Sequence, residues 1–409
     1  PPEPHPNHTR ERGTAVRPLR ILIGADTFPP DVNGAARFAE RLAGGLAGRG
    51  HDVHVVAPSP DASSHRTQPR PGPDGVRVHR VRSHRYPLHD NFRICLPWQA
   101  SPATAALVED LQPDVVHVQA HFVVGRGTAV AASKAGVPLV ATNHFMPENL
   151  FGHAKVPHAL QQAAARWAWR DLAGVYGRAG VVTAPTERAA GLLADAAGIV
   201  GVLPVSCGID SARYAGGVEA AEPTVLFVGR LDEEKRVDEL LRAFAALPAA
   251  LGAARLEIVG DGSRREAWTA LADRLGVAGR TTFHGFVDEE TLVAAYRRCA
   301  VFAMPGIAEL QSLVTLEAMS AGKPVVAADA MALPHLVRPG RNGWLYTPGD
   351  VDGLSAALGA LLADPVTRAR MGAASREIVA GHALDATLDR FENVYTEVTG
   401  RVTTGLRVA

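Results

Sequence analysis

Two carboxylates, Glu309 and Glu317, stand eight residues apart in the stretch G-I-A-E-L-Q-S-L-V-T-L-E-A-M-S-A-G that runs from Gly306 to Gly322. From Ser312 onward the chain carries strong helix formers with an apolar rhythm in Leu313, Leu316 and Met319, and Gly322 before Lys323-Pro324 is a helix stop. Eight residues of helix span about 12 Å, close to the reach of a sugar diphosphate with its ribose. The start of such a helix offers unpaired N–H groups and the positive end of its dipole, a seat for phosphate. An ionised carboxylate accepts hydrogen bonds from hydroxyls. The spacing therefore suggests a polyol on Glu309, phosphates on the amides of Ser312, Leu313 and Val314, and a second diol on Glu317. The plain alternative is a loop charge at Glu309 and a solvated helix residue at Glu317.

The elements that must position these groups are legible upstream. Val225-Leu226-Phe227-Val228-Gly229 reads as a buried strand ending in Arg230, with Lys235 five residues later. Two cations facing the helix start would neutralise a diphosphate, the arginine in bidentate fashion. Near the beginning, the apolar run Leu19 to Gly24 is followed by a loop ending in Asn33-Gly34, a helical pattern through Leu46, and the strand Val53 to Ala57. Strand, glycine loop, helix, strand opens a doubly wound sheet, whose ligands sit at the carboxyl ends of its strands. Gly34 would let a phosphate approach the backbone at the next helix start, with Asn33 beside it on the acceptor side. The strand Pro138 to Thr142 delivers Asn143 and His144 to its carboxyl end, Asn143 toward the acceptor and His144 as a hydrogen-bond donor to a leaving or developing charge. The competing reading of His144 is a satisfied structural histidine. His117 and His121 are read as supporting groups.

The pattern E-x7-E followed by E-A-M-S-A-G-K-P-V-V-A, together with G-R-x(4)-K, resembles the donor site of the retaining family 4 glycosyltransferases, which have the GT-B fold. The resemblance covers nearly the whole chain. Pro30-x-x-Asn33-Gly34 is similar to that family's N-terminal loop, and Thr142-x-His144 to its sugar-contacting histidine. It implies that Glu309 binds donor-sugar hydroxyls, Glu317 the ribose, and Arg230 with Lys235 the donor phosphates. His144 would touch the sugar from the opposite domain, and backbone amides around Gly285 to Val287 would read a nucleobase edge. Two departures stand out. The family's common Phe-Gly after the first Glu is Leu310-Gln311-Ser312 here, similar through Gln311 to glycolipid-forming members, and the Asn of its N-G-V-D turn is Cys207 before Gly208-Ile209-Asp210.

The expected fold is α/β, two Rossmann-like domains of parallel sheet facing a central cleft. A disordered leader is expected over residues 1–18, an acceptor-side domain over 19–210, a linker over 211–223 and a nucleotide-sugar domain over 224–384. Residues 385–409 would be a terminal helix returning to the first domain. With 42 Lys plus Arg against 42 Asp plus Glu the formal net charge is zero, which argues against a dedicated nucleic-acid binder. Cys95, Cys207 and Cys299 lie far apart, without the spacing of a disulfide framework or zinc site, and fit a cytoplasmic setting. No run approaches the ~18 apolar residues of a membrane span. The single Asp-x-Asp, Asp350-Val351-Asp352, falls at a helix start and reads as a cap rather than a metal site. No cofactor is expected beyond the nucleotide-sugar donor substrate, and oligomeric state leaves no mark in the sequence.

The acceptor is less legible. Arg82, Arg85, Tyr86, His89, Asn91, Phe92 and Arg93 interleave basic and aromatic groups in what reads as a loop, either facing an anionic lipid head group or forming a solvated rim. The helical pattern His158 to Tyr176 has a stripe of Ala165, Trp169, Leu172 and Tyr176 flanked by Arg166 and Arg170, which suits core packing or peripheral contact with a membrane. The reading is transfer of a hexosyl unit from UDP- or GDP-hexose to a hydroxyl, with retention and without metal. A lipid or other hydrophobic acceptor leads, with a small polyol beside it. A nucleotide-sugar epimerase or hydrolase, and a catalytically silent binder, are the other readings.

Overall fold

A computed structural model describes residues 17–31, 33–61, 70–72, 75–86, 89–146 and 158–400. Almost all of the leader expected over 1–18, and the tail after 400, lie outside the described residues.

The first sheet is built from β1 (Arg20–Gly24), β2 (Asp52–Pro58), β3 (Arg70–Pro71), β4 (Arg77–Val81), β7 (Val115–Val118), β8 (Leu139–Thr142), β9 (Val181–Ala184) and β10 (Leu203–Pro204), in the order β10-β9-β8-β7-β1-β2-β4-β3. Only the edge strand β3 is antiparallel to its neighbour. The helices α1 (Gly34–Gly48), α2 (Pro97–Leu111), α3 (Val123–Ala135), α4 (His158–Tyr176) and α5 (Glu187–Ala197) complete the layers. In β1, Ile21 and Ile23 enter one hydrophobic cluster and Leu22 the other, so both faces of the sheet are covered.

The second sheet is wholly parallel, β13-β12-β11-β14-β15-β16, from β11 (Thr224–Val228), β12 (Arg255–Val259), β13 (Thr281–Gly285), β14 (Val301–Met304), β15 (Val325–Ala328) and β16 (Gly343–Tyr346). Its helices are α6 (Val237–Ala245), α7 (Arg265–Arg274), α8 (Glu289–Arg298), α9 (Leu313–Ser320), α10 (Leu333–Leu336), α11 (Val351–Ala363) and α12 (Pro365–Ala380). Asp350 accepts from the Gly353 amide at 2.9 Å and caps α11.

A last helix, α13 (Leu384–Val398), lies against the first domain. Leu388 fills the space beside Gly45, where a Cβ would come within 2.6 Å of it. Arg49 pairs with Asp389 at 2.6 Å and Glu392 at 2.7 Å, and Tyr395 OH lies 2.7 Å from Nδ1 of His117. The chain crosses between domains twice at one place, where Ile209 N–H donates to the His382 carbonyl at 2.9 Å and Leu384 N–H to the Ile209 carbonyl at 3.0 Å.

One local expectation differs from the fold, and at another the fold selects between two readings. The basic-aromatic stretch is an antiparallel hairpin rather than a loop, β5 (Ser83–Tyr86) with β6 (His89–Cys95), because pairing Ser83 with Cys95 satisfies backbone groups that a buried loop would leave open. The side chains of Tyr86, His89, Asn91 and Phe92 lie outside the described residues. In α4, Trp169, Leu172 and Tyr176 are buried in the second cluster, so this stripe is core; Trp167 points outward, 68% exposed. All three cysteines are free and buried, their thiols pushed up to about 12 by that burial.

Candidate functional site

The cleft between the domains is lined by the loops after β11 and β14 and by two helix starts, those of α1 and α9. Ser312 sits at the cap of α9 with φ −82°, backbone that any residue adopts, so the family's glycine is not needed for conformation here. Its hydroxyl accepts from Thr315 Oγ1 at 2.9 Å and does not cap the helix, so that among the described residues the first-turn amides of Leu313 and Val314 have no side-chain partner. Across the cleft Asn33 caps α1 by accepting from Ala36 N–H at 2.9 Å, and a Cβ on Gly34 would lie 3.8 Å from Leu313. Asn33, Gly34, Ser312, Leu313 and Val314 are thus brought to one place by two helices that begin face to face.

Lys235 ends a short 3-10 turn, Glu233–Lys235, tied to the loop after β14 by Ile307 N–H donating to the Glu234 carbonyl at 3.0 Å. Its ammonium makes an ion pair with Glu309, and both side chains are nearly enclosed. Gly306 is where this pair needs room, since a Cβ there would meet Glu309 Oε1 at 3.3 Å and Lys235 Cδ at 3.4 Å. Arg230 is half-buried and held by its own loop, Nη1 on Asp232 Oδ2 at 2.8 Å and Nη2 on Glu234 Oε1 at 3.0 Å. Both cations are thereby oriented by carboxylates, Lys235 by the loop that leads into α9.

Glu317 is not a solvated helix residue. It is 0% exposed and both oxygens are partnered: Oε1 accepts from Arg41 Nη2 at 2.9 Å and Arg37 Nη1 at 3.4 Å, Oε2 from Tyr296 OH at 2.9 Å. A buried carboxylate stays charged only with such partners. Arg37 and Arg41 belong to α1 of the first domain, one and two turns behind Gly34. Burial beside this charge pushes the Tyr296 hydroxyl well above its ordinary range.

His144 is partly buried against the ring of Phe38, centroids 4.8 Å apart, and burial lowers it to about 4. It is therefore neutral at pH 7, and Nε2–H donates to Gln119 Oε1 at 3.1 Å. The proton expected for a ligand is spent on Gln119, and the ring offers the Nδ1 lone pair instead. Gln119 in turn donates to His117 at 3.2 Å. His117 also meets Thr142 Oγ1 at 2.6 Å and is lowered to about 3, by burial first and the neighbouring His144 second.

Asn143 and Arg93 spend their side chains on their own surroundings. Asn143 is fully buried and closes its own turn, donating to the Phe145 carbonyl at 3.1 Å and accepting from Phe145 N–H at 3.0 Å. Arg93 turns back to Ser83, with Nε on its hydroxyl at 2.7 Å. Gly285 ends β13 at φ +71°, and a Cβ there would strike Arg265 Nη1 at 2.7 Å. Gln311 does not face the cleft: its Oε1 accepts from Cys207 N–H at 2.7 Å and its Nε2 donates to Ser206 at 3.1 Å, at the domain crossover. The position of Cys207 thus works through its backbone. Sequence reasoning missed Arg37, Arg41, Tyr296 and Gln119; the i, i+4 arginines directly behind Gly34 were the one local signal.

Two family models match the chain, "Glycosyltransferase Family 4" over residues 32–213 and "Glycosyl transferases group 1" over 210–378. A GDP-mannose-dependent alpha-mannosyltransferase of Mycolicibacterium smegmatis is 34% identical over 397 residues, covering 94% of this chain and 98% of the relative. The Mycobacterium tuberculosis protein of the same name is 32% identical over 399 residues, with the same coverage of both chains. Among solved structures, a sucrose-phosphate synthase from Thermosynechococcus elongatus superposes with a TM-score of 0.77 at 20% identity, over 94% of this chain and all of that one. Anabaena HepE, in complex with UDP and glucose, gives 0.72 at 20% identity over 93% of this chain and all of its own; at such identities the likeness speaks for the fold. The chain belongs to the family 4 glycosyltransferases of the GT-B fold, and its reaction is transfer of a hexosyl unit from a nucleotide sugar.

Proposed function

We propose that the donor is GDP-mannose, that transfer retains the anomeric configuration without a metal, and that the acceptor hydroxyl belongs to an amphipathic, lipid-like molecule. The observation that supports the donor reading is the Lys235–Glu309 ion pair just before the start of α9, with Arg230 tied through Glu234 to the same turn as Lys235 and Glu317 one turn into the helix. In this reading the diphosphate lies on the Leu313 and Val314 amides, Arg230 and Lys235 take up charge as it departs, and Glu309 orients the sugar. Preorganised charges of this kind are worth several kcal/mol, on the order of 3 for each well-placed donor, and they do the work a bound metal would otherwise do. His144 contacts the sugar from the first domain through its unprotonated nitrogen, and the amides following Gly285 meet the base.

GDP-mannose is favoured by the names of the two mycobacterial relatives. The mannose of GDP-mannose is α-linked, so an α-mannoside product means retention. The acceptor reading is supported by a cavity of about 440 Å³ between the domains, floored by Met146, Leu192, Ile307, Ala308 and Met331. Glu233, Glu234, Arg236 and Asp238 complete its lining, which also suits hydroxyl-rich head groups and keeps a small polyol in view.

The experiment is a donor screen on the full chain, following nucleotide release with GDP-mannose and UDP-hexoses, with a polar lipid extract, with simple polyols and with neither. GDP release that rises sharply with lipid, an α-mannoside by NMR and indifference to EDTA are expected. Release that polyols alone stimulate transfers the acceptor reading to them. Release independent of any acceptor would mean hydrolysis, and loss of activity in EDTA would overturn metal independence.

A further inference from the structure

Glu317, the carboxylate read as the ribose ligand, has three of its about four lone-pair sites occupied: Tyr296 OH is on Oε2, and Oε1 is shared by Arg37 and Arg41 of the opposite domain, at 3.4 and 2.9 Å. The two arginines are not equivalent. Arg41 is mostly buried, 17% exposed, and well bound, with Nη2 also 3.3 Å from Tyr214 OH. Its Nη1 is buried, and among the described residues nothing accepts from it. Arg37 is 31% exposed and holds Glu317 only through the long 3.4 Å contact. It sits one turn from Gly34, and Gly34 faces Leu313, where the phosphate amides begin.

We propose that Arg37 and Arg41 are donor-binding residues that work by exchange: the ribose diol displaces Arg37 from Glu317, Arg37 turns to the diphosphate, and Arg41 stays, giving its free Nη1 to a ribose oxygen. This rests on the donor reading above. The charge count favours it. A diphosphate brings negative charge to the start of α9 within an arginine's reach of Glu317, and a guanidinium pairs more strongly with phosphate than through a 3.4 Å contact. The departing Arg37 leaves Glu317 with Arg41 and Tyr296, and two ribose hydroxyls replace what it gave. The buried N–H groups of Arg41, costly while unpaired, gain an acceptor only when the nucleotide is present. Because both arginines come from α1, the exchange ties the first domain to a ligand held mainly by the second.

The test is binding of GDP, or UDP if the wild type prefers it, and of the corresponding nucleoside, by calorimetry and ligand-detected NMR on the full chain. Arg37→Ala is expected to weaken the nucleoside diphosphate about tenfold while the nucleoside binds as before or more tightly, since nothing has to be displaced; Arg37→Lys recovers part of the loss. Arg41→Lys is expected to weaken diphosphate and nucleoside alike, its contact being to ribose. Thermal melting of Arg37→Ala within about 2 °C of wild type shows that the fold is intact. An Arg37→Ala protein that binds the diphosphate as well as wild type reduces Arg37 to a tie between domains and overturns the exchange. Unchanged nucleoside affinity in Arg41→Lys removes Arg41 from the donor site. A wild type that binds neither GDP nor UDP overturns the donor reading itself, a distinct outcome from failure of the variants alone.

Discussion

Nε2 of His144 donates to the carboxamide oxygen of Gln119 at 3.1 Å, so the side chain immediately after β7 sets which nitrogen of the cleft histidine carries the proton. The link continues inward to His117, and through His117 to Tyr395 on the helix that returns from the second domain. The tautomer at the cleft is fixed by residues that never reach it.

Gln119→Leu removes this orientation while leaving the imidazole. One hydrogen bond is worth about 1 kcal/mol net, so kcat should fall several-fold to about tenfold, with little change in donor KM. His144→Ala should fall further. Steady-state kinetics on both variants check this, and a Gln119→Leu loss confined to KM would contradict it.

Lys235→Ala should depress kcat on the order of 10²–10³-fold, the usual cost of one preorganised donor at a developing charge. It also leaves Glu309 nearly enclosed and unpaired. Glu309→Gln should spare nucleoside diphosphate binding and lower turnover, because its expected partner is the sugar. Calorimetry with GDP, set beside turnover for each variant, separates the two roles.

Gln311→Ala is expected to act on stability rather than on acceptor choice. The carboxamide satisfies the buried Cys207 N–H at 2.7 Å and binds Ser206, which also meets His382 at 2.9 Å. Leaving such a donor unpaired costs about 1–3 kcal/mol. A melting temperature lower by several degrees with acceptor preference intact is the expected result; a changed acceptor preference with unchanged melting would refute it.

Acid should destabilise the protein. Burial lowers His117 to about 3 and His121, His144 and His382 to about 4, from the ordinary 6.5. Between pH 6.5 and 4 the unfolded chain binds protons at these sites and the native chain does not, so stability present above 6.5 is lost as pH falls. The slope is about 1.4 kcal/mol per pH unit for each histidine. Asp26 works in the opposite direction: burial raises it to about 6 against the Val124 and Gly125 amides, so its share of stability grows as pH falls through 6. Burial also raises Asp31 and Glu40 and lowers His54, so the histidines, five against three carboxyls, carry the balance, and His117→Gln should flatten a denaturant-midpoint profile over this range.

Local pattern determined a great deal of this protein. Period and punctuation placed β1, β2, β8 and β11 within a residue or two, α4 over His158–Tyr176, the glycine stop after α9 and the Asp350 cap, because each depends on neighbours close in sequence. The spacing of Glu309 and Glu317 and of Arg230 and Lys235 was equally visible. Tertiary structure alone decided what those groups touch. Glu317 meets Arg37 across 280 residues of chain, Gln311 meets Cys207 across 104, and His117 meets Tyr395 across 278. Such pairings answer a demand with no sequence period: a charge or amide taken out of water must find a partner wherever the fold supplies one. For that reason Gln311, which looked like an acceptor signature, holds the crossover, and Arg37 and Arg41, two residues of an ordinary helical pattern, hold the buried carboxylate of Glu317.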